Sequence, residues 1–217
     1  KELSDYYGCS WGEAIETALP EGLRKGKEIT NNIEERKDIK HKYNQDVILI
    51  HDLDRGARWD IYLESIKDTI NNNRSVIVLL PDINSVLKVK ETITASLGIS
   101  PALLYRKQPK ELEEWQKVKE SKFKIVIGTR SGIFAPVSCL GLVIIDEEQD
   151  TVYKQDQVPH YHAREVAFMR IAIEKAKLIL GSTLPSLESF YLAKKGKIKY
   201  ILLSRKRNSP QTKIIDM

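Results

Sequence analysis

Two cysteines in 217 residues, Cys9 and Cys139, lie too far apart for a disulfide framework and lack the spacing of a zinc site. Long apolar runs are missing too. No stretch approaches the roughly 18–20 residues that a membrane span needs, and the start carries no visible signal peptide. These absences make a reducing compartment, the cytoplasm, the simplest setting, with no membrane contact expected. The length also excludes two full-sized domains and suits one α/β domain of about 150–200 residues with an appendage. Internal repeats and low-complexity tracts are absent as well. The chain begins at Lys1 and stops in the apolar run Thr212–Met217 without a terminating turn, which reads as a piece of something longer.

What is present is a globular composition, 41% apolar and 30% charged, with Lys plus Arg exceeding Asp plus Glu by 35 to 30 for a net charge of +5. Such an excess favours polyanions if it is clustered on one surface, and a solvated, evenly mixed surface is the alternative that composition leaves open. Ile15, Ala18 and Leu19 have helical spacing, so a short helix is expected from about Trp11, stopped near Pro20. The charged, polar stretch over 31–45 reads as a linker. From Asp46 onward, apolar strands alternate with helical segments, the signature of βαβ units. Strands are expected at Val47–Ile50, Ser75–Leu80, Pro101–Tyr105, Lys124–Gly128, Leu142–Ile145 and Leu178–Gly181. In a parallel sheet the loops after five of them share one edge, where open α/β folds bind ligands.

The strand Leu142-Val143-Ile144-Ile145 ends in Asp146-Glu147-Glu148-Gln149. A nucleotide motor uses such an ending: the first carboxylate, Asp146, holds Mg²⁺ through water and the next, Glu147, polarises the attacking water. A strand that simply opens into a solvated loop also ends this way, so the neighbours decide. Gly128-Thr129-Arg130-Ser131, running on to Pro136, joins an exposed Arg to hydroxyls and flexible backbone. That combination suits phosphates of a nucleic-acid backbone, and an ordinary turn is the alternative. Between Tyr153-Lys154 and Tyr161-His162-Ala163-Arg164, aromatics interleave with cations, as single-stranded nucleic acid requires. The segment from Tyr161 also reads as the start of a helix running to Lys175. His160 and His162 alternate on a loop without cysteine nearby and give no metal signal.

In order and spacing, Gly128 to Pro136, Asp146 to Gln149, Tyr153-Lys154-Gln155, Tyr161 to Arg164, Gly181-Ser182 and Pro185 to Ser189 together resemble the first motor lobe of the PriA family of bacterial replication-restart helicases. Asp5-Tyr6-Tyr7, Gly12-Glu13 and Ala18-Leu19-Pro20 resemble the end of that family's N-terminal DNA-binding region, and Arg205 to Met217 its exit from the first lobe. The resemblance implies a RecA-like three-layer α/β sandwich with a mostly parallel sheet, a single superfamily 2 lobe over 46–217. The remnant of the DNA-binding region would occupy 1–30 and the charged linker 31–45. It implies ATP and Mg²⁺ as cofactors, 3′-to-5′ helicase activity, and single-stranded or forked DNA and primosome proteins as partners. The Tyr153 to Arg164 loop would match the aromatic-rich loop that couples strand contact to hydrolysis, and Gln149 stands where the family has His.

The family's phosphate loop, GxxxxGK[ST], does not match. Its four signature positions fall on Asp52, Ala57, Arg58 and Trp59, and shifting by one makes Gly56 the second glycine but puts Ala57 at the lysine. Asp52 and Asp54 bring negative charge to a polyanion's cradle, at about 4 kcal/mol per like-charge contact near 4 Å and an effective dielectric near 20. A loss of that size weakens binding roughly 1,000-fold. Arg58 is a bulky fork rather than a compact ammonium, and Trp59 offers Mg²⁺ no oxygen while its ring is expected to fill space near the phosphates. The family's Ser-Ala-Thr element reads Ser182-Thr183-Leu184, so its hydroxyl has moved or gone. The expectation is a lobe that keeps the fold and binds ATP weakly or not at all, with an unusual but active phosphate loop and a non-catalytic interaction scaffold as alternatives. The second lobe and its arginine would lie beyond this chain, so unwinding by it alone is not expected.

Overall fold

The computed structural model describes residues 1–25, 46–53, 56–106 and 108–203. The linker expected over 31–45, Asp54 of the loop and the stretch from Arg205 to Met217 lie outside them. Seven strands are present among the described residues: β1 (Val47–Asp52), β2 (Ser75–Leu79), β3 (Ala102–Leu104), β4 (Ile125–Gly128), β5 (Leu140–Asp146), β6 (Lys177–Ser182) and β7 (Lys199–Leu203). They form one sheet in the order β3-β4-β2-β5-β6-β1-β7, and every pairing is parallel. All seven therefore end at the same edge, with the acidic ending of β5 on the central strand.

The inner strands are apolar without a break because both faces are covered. Ile77, Leu79, Val143, Ile145, Leu178 and Leu180 point to one face, and the intervening Val76, Val78, Leu142, Ile144 and Ile179 point to the other. Helices α4 (Ala57–Asn71) and α5 (Ile83–Leu97) cover the second face through Tyr62, Ile66, Val86 and Ile93. Helices α6 (Glu111–Lys119) and α7 (Ala163–Glu174) cover the first through Val118, Val166, Ala167 and Ile171. Asp82 caps α5 by accepting from the Ser85 N–H at 2.9 Å, and Gly98 closes that helix in the left-handed conformation.

The N-terminal helices α1 (Glu2–Tyr7), α2 (Trp11–Ala18) and α3 (Glu21–Arg24) lie against the first face. A Ser10–Glu13 capping box starts α2 at the expected residue. Leu3 and Tyr7 pack on the core, the Tyr7 hydroxyl accepts from the His162 N–H at 3.0 Å, and Arg106 donates to the Thr17 carbonyl at 3.4 Å.

Two elements differ from the sequence expectation. The six expected strands are not the whole set, because helix α8 (Leu187–Lys194) and strand β7 follow them. β7 is an edge strand with exposed Lys199, Tyr200 and Leu202, so it lacks the apolar block by which buried strands are read. The segment after Gly128 is no flexible loop: Arg130–Phe134 forms a tight 3-10 turn with Gly132 and Ile133 buried. Gly128, at the end of β4 before this turn, permits the close approach of β3. A Cβ there would come 2.1 Å from the Leu104 carbonyl oxygen, a backbone atom that cannot swing aside. Gly128→Ala is therefore expected to destabilise the protein by about 1–3 kcal/mol, the usual penalty of overpacking. An unchanged urea midpoint would contradict this packing.

Candidate functional site

The sheet register brings the ends of β1, β5 and β6 to one level, with Asp146 beside Gly181 and His51 beside Ser182. The chain turns sharply at Glu147, whose φ of 50° is left-handed and costs a non-glycine residue about 1–2 kcal/mol. Into this edge α4 sends Arg58, and its guanidinium binds both carboxylates. Nε donates to Asp146 Oδ1 at 2.6 Å and Nη2 to Glu147 Oε1 at 2.6 Å. Arg58 is 2% exposed and Asp146 7% exposed, so this ion pair is shielded from water.

Four residues along the same helical face, the Tyr62 hydroxyl donates to the same Asp146 oxygen at 3.1 Å. Gly181 leaves room for it, since a Cβ there would sit 1.5 Å from the Tyr62 oxygen. Burial, with the neighbouring Asp146 charge, holds the Tyr62 phenol well above its ordinary range, so it remains a neutral donor. Burial also pushes Asp146 up, and its hydrogen bond to Arg58 and the Arg58 charge pull it back only in part. Burial works against the Arg58 charge most strongly, but the hydrogen bond and charge of Asp146 outweigh it and leave the guanidinium protonated. Glu147 is lowered: burial opposes its charge, while Gln149, Arg58 and the Thr183 N–H together prevail.

The remaining polar groups complete a network. Glu147 Oε2 accepts from Gln149 Nε2 at 2.8 Å, the Thr183 N–H at 3.2 Å and the Thr183 hydroxyl at 3.0 Å. The Ser182 hydroxyl donates to Gln149 at 2.5 Å. The Thr183 hydroxyl of the Ser182-Thr183-Leu184 segment thus touches the acidic strand end. Glu148, fully buried, accepts from Arg164 at 2.9 Å, the Ser186 N–H at 2.8 Å and the Ser189 hydroxyl at 2.9 Å, joining α7 and α8 to β5.

At the expected phosphate loop, Asp52 is buried and accepts the Arg58 backbone N–H at 3.0 Å. Gly56 sits at the N-cap of α4 and Ala57 opens the helix. Trp59, expected to fill space near the phosphates, packs edge-to-face on Tyr62 with ring centroids 5.0 Å apart; it is Tyr62 that reaches the carboxylate. Among the described residues, no group of three or more His, Cys, Asp or Glu is arranged to hold a metal ion.

The residues read as DNA contacts divide into two sets. Thr129, Arg130 and Ser131 are half-buried at the 3-10 turn, and Lys154 is exposed. Arg130 donates to the carbonyls of Val152, at 2.9 Å, and Lys154, tying the turn to the aromatic segment. Tyr153 and Tyr161 are fully buried, and Arg164 is held by Glu148. Their rings and charge therefore face inward in this arrangement: the Tyr153 hydroxyl donates to the Asp146 carbonyl at 2.7 Å, and the Tyr161 ring packs on Phe134. The exposed part of the loop is Lys154, Asp156, Gln157, Val158 and His160.

Sequence reasoning missed Tyr62, Glu148 and the pairing of Arg58 with the acidic strand end. The four-residue spacing of Arg58 and Tyr62 was the one local signal; their target lies 88 residues from Arg58 and becomes visible only through the sheet.

In fold this is a RecA-like three-layer α/β lobe. It is similar to the Mss116p DEAD-box helicase domain 2 bound to an RNA duplex, at 12% identity and a TM-score of 0.53 over 75% of this chain and 65% of that one. It is also similar to RecG bound to a three-way DNA junction, at 18% identity and 0.53 over 76% of this chain and 21% of that one. No protein-family model matches the chain. In sequence it is similar to the replication restart protein PriA of Bacillus subtilis (strain 168), 34% identical over 176 residues, which are 79% of this chain and 22% of that protein. PriA of Treponema pallidum is 28% identical over 99% of this chain and 36% of its own length. PriA of Rickettsia prowazekii is 30% identical over 100% of this chain and 36% of its own length. The chain belongs to the PriA family, and it spans between 22% and 36% of the length of these curated relatives.

His162 offers a measurable consequence of the geometry. Its Nδ1 accepts the Arg164 N–H at 3.2 Å and caps α7, which requires a neutral ring. Burial first, and then the Arg164 charge, pull its pKa down to about 4. Because the folded value lies below the unfolded value of about 6.5, the unfolded chain binds more protons between them. This contribution is therefore fully present above pH 6.5 and is lost as pH falls toward 4. Relative to His162→Asn, which caps without titrating, the parent should lose stability as pH drops from 7 to 4.5. A difference independent of pH in urea unfolding would contradict a buried neutral His162.

Proposed function

We propose that this chain is the first RecA-like lobe of a PriA-like replication-restart protein, a cytoplasmic lobe that contacts single-stranded or forked DNA and primosome proteins. In this reading residues 1–30 end the DNA-binding region, 31–45 are the linker, and 46–217 form the lobe. Binding of ATP and Mg²⁺ is weak or lost.

One observation carries the last point: Arg58 binds the two carboxylates, Asp146 and Glu147, that would serve Mg²⁺ and the attacking water. The fit to a metal–triphosphate is poor on three further grounds. The Arg58 backbone N–H, which a phosphate loop would turn to its ligand, is bound by Asp52. Trp59 supplies no hydroxyl for the metal, and Asp52 adds negative charge where the phosphates belong. Seating Mg²⁺ would require Arg58 to leave, stranding a buried cation, so two costs would oppose binding. Contact with DNA draws on the half-buried Thr129, Arg130 and Ser131 and on the exposed Lys154, beside one another at the sheet edge. The exposed Leu184 and Leu187, 74% and 84% accessible, favour a second reading in which the lobe is a docking surface without DNA contact.

Titration of the 217-residue chain with a fluorescent ATP analogue and Mg²⁺, beside titration with a fluorescent single-stranded oligonucleotide at low salt, separates these readings. The expected result is no saturable nucleotide binding in the micromolar range and measurable oligonucleotide binding. Micromolar nucleotide affinity would overturn the loss of ATP binding, and absent oligonucleotide binding would favour the docking reading.

A further inference from the structure

The distribution of the chain's excess charge, which composition leaves open, is uneven. Of a net +5, the seven residues Lys194 to Tyr200 carry four lysines and no carboxylate. They form the corner where α8 turns into β7, and Lys194, Lys195, Lys197 and Lys199 are all exposed there. Among the described residues, none of Lys194, Lys195 and Lys199 has a carboxylate within ion-pair distance. The nearest acid along α8, Glu188, lies at the helix's other end, 3.8 Å from Arg164.

Aromatic rings stand among these cations. The Lys195 ammonium lies 5.5 Å from the Tyr191 ring centroid, and that of Lys194 lies 5.2 Å from Phe190. Phe190 packs edge-to-face on Tyr200 at 5.9 Å, which fixes α8 on β7. Tyr191 is 58% exposed, although an aromatic of its size would ordinarily be covered where packing allowed. The Tyr200 hydroxyl is held by His51 Nδ1 at 2.8 Å, which ties the strand side of the corner to β1. Because β7 is parallel to β5, Lys199 starts its strand at the edge opposite the acidic site, about 13 Å from the strand's far end at about 3.3 Å per residue. The corner is thus separate from the Arg58 cluster and from the turn at Arg130.

We propose that this corner is a second contact for single-stranded nucleic acid, with Lys194, Lys195 and Lys199 on successive phosphates and a base on the exposed Tyr191 ring. Unpaired ammoniums at the surface attract phosphate through counterion release, and a ring bordered by cations accepts any base through its π-face. The inference rests on the reading that the lobe binds single strands, and it adds a surface to that reading.

The test measures affinity of the full chain for a fluorescent oligo(dT) across a salt series. Replacing all three lysines by alanine is expected to lower the slope of log affinity against log salt by about 2, at about 0.7 for each phosphate no longer neutralised. Tyr191→Ala is expected to weaken binding by about tenfold, within the range for one stacked base, and Tyr191→Phe to retain parental affinity. Parental slope in the lysine variant, or parental affinity in Tyr191→Ala, while the parent binds, overturns this inference and leaves the DNA-contact reading standing. A parent that fails to bind overturns both.

Discussion

A guanidinium buried between two carboxylates governs the edge of this sheet. Arg58 and Asp146 have left water and Glu147 is half-buried, and such burial is tolerated where the charges find partners of opposite sign at hydrogen-bond distance. One α4 cation thus answers two carboxylates at the end of β5. Tyr62, Gly181, Asp52 and the left-handed turn at Glu147 can each be understood as fitting this pair.

Around that centre lie two sets of polar contacts. Glu147 holds Thr183 and Gln149, Gln149 holds Ser182, and the neighbouring Glu148 gathers Arg164, Ser186 and Ser189. Three consecutive acidic residues therefore have two distinct tasks. The first two bind the α4 arginine, and the third joins the starts of α7 and α8 to the sheet. Such a network specifies one arrangement of these elements because any partial version leaves buried charge unpaired.

Much of the fold was legible because a parallel sheet covered on both faces writes itself as unbroken apolar runs, as in Val76–Leu79 and Leu142–Ile145. β7 was not, because an edge strand with exposed Lys199, Tyr200 and Leu202 carries no such run. The acidic cluster was legible as a strand ending, and the departure from the phosphate-loop pattern as mismatched residue types. The bond between them was not, since it depends on a register linking residues far apart in sequence. The inward direction of Tyr153 and Tyr161 was hidden for another reason: aromatics interleaved with cations look the same whether the rings face solvent or the core.

A double-mutant cycle on Arg58 and Asp146 tests this account most directly. Arg58→Met alone should cost about 3–5 kcal/mol in urea unfolding, since it leaves buried carboxylates without their cation. Asp146→Asn in the Arg58→Met background should recover a large part of that loss, giving a coupling of at least about 1 kcal/mol. Additive losses, or an Arg58→Met protein as stable as the parent, would contradict the claim that this guanidinium neutralises the acidic strand end.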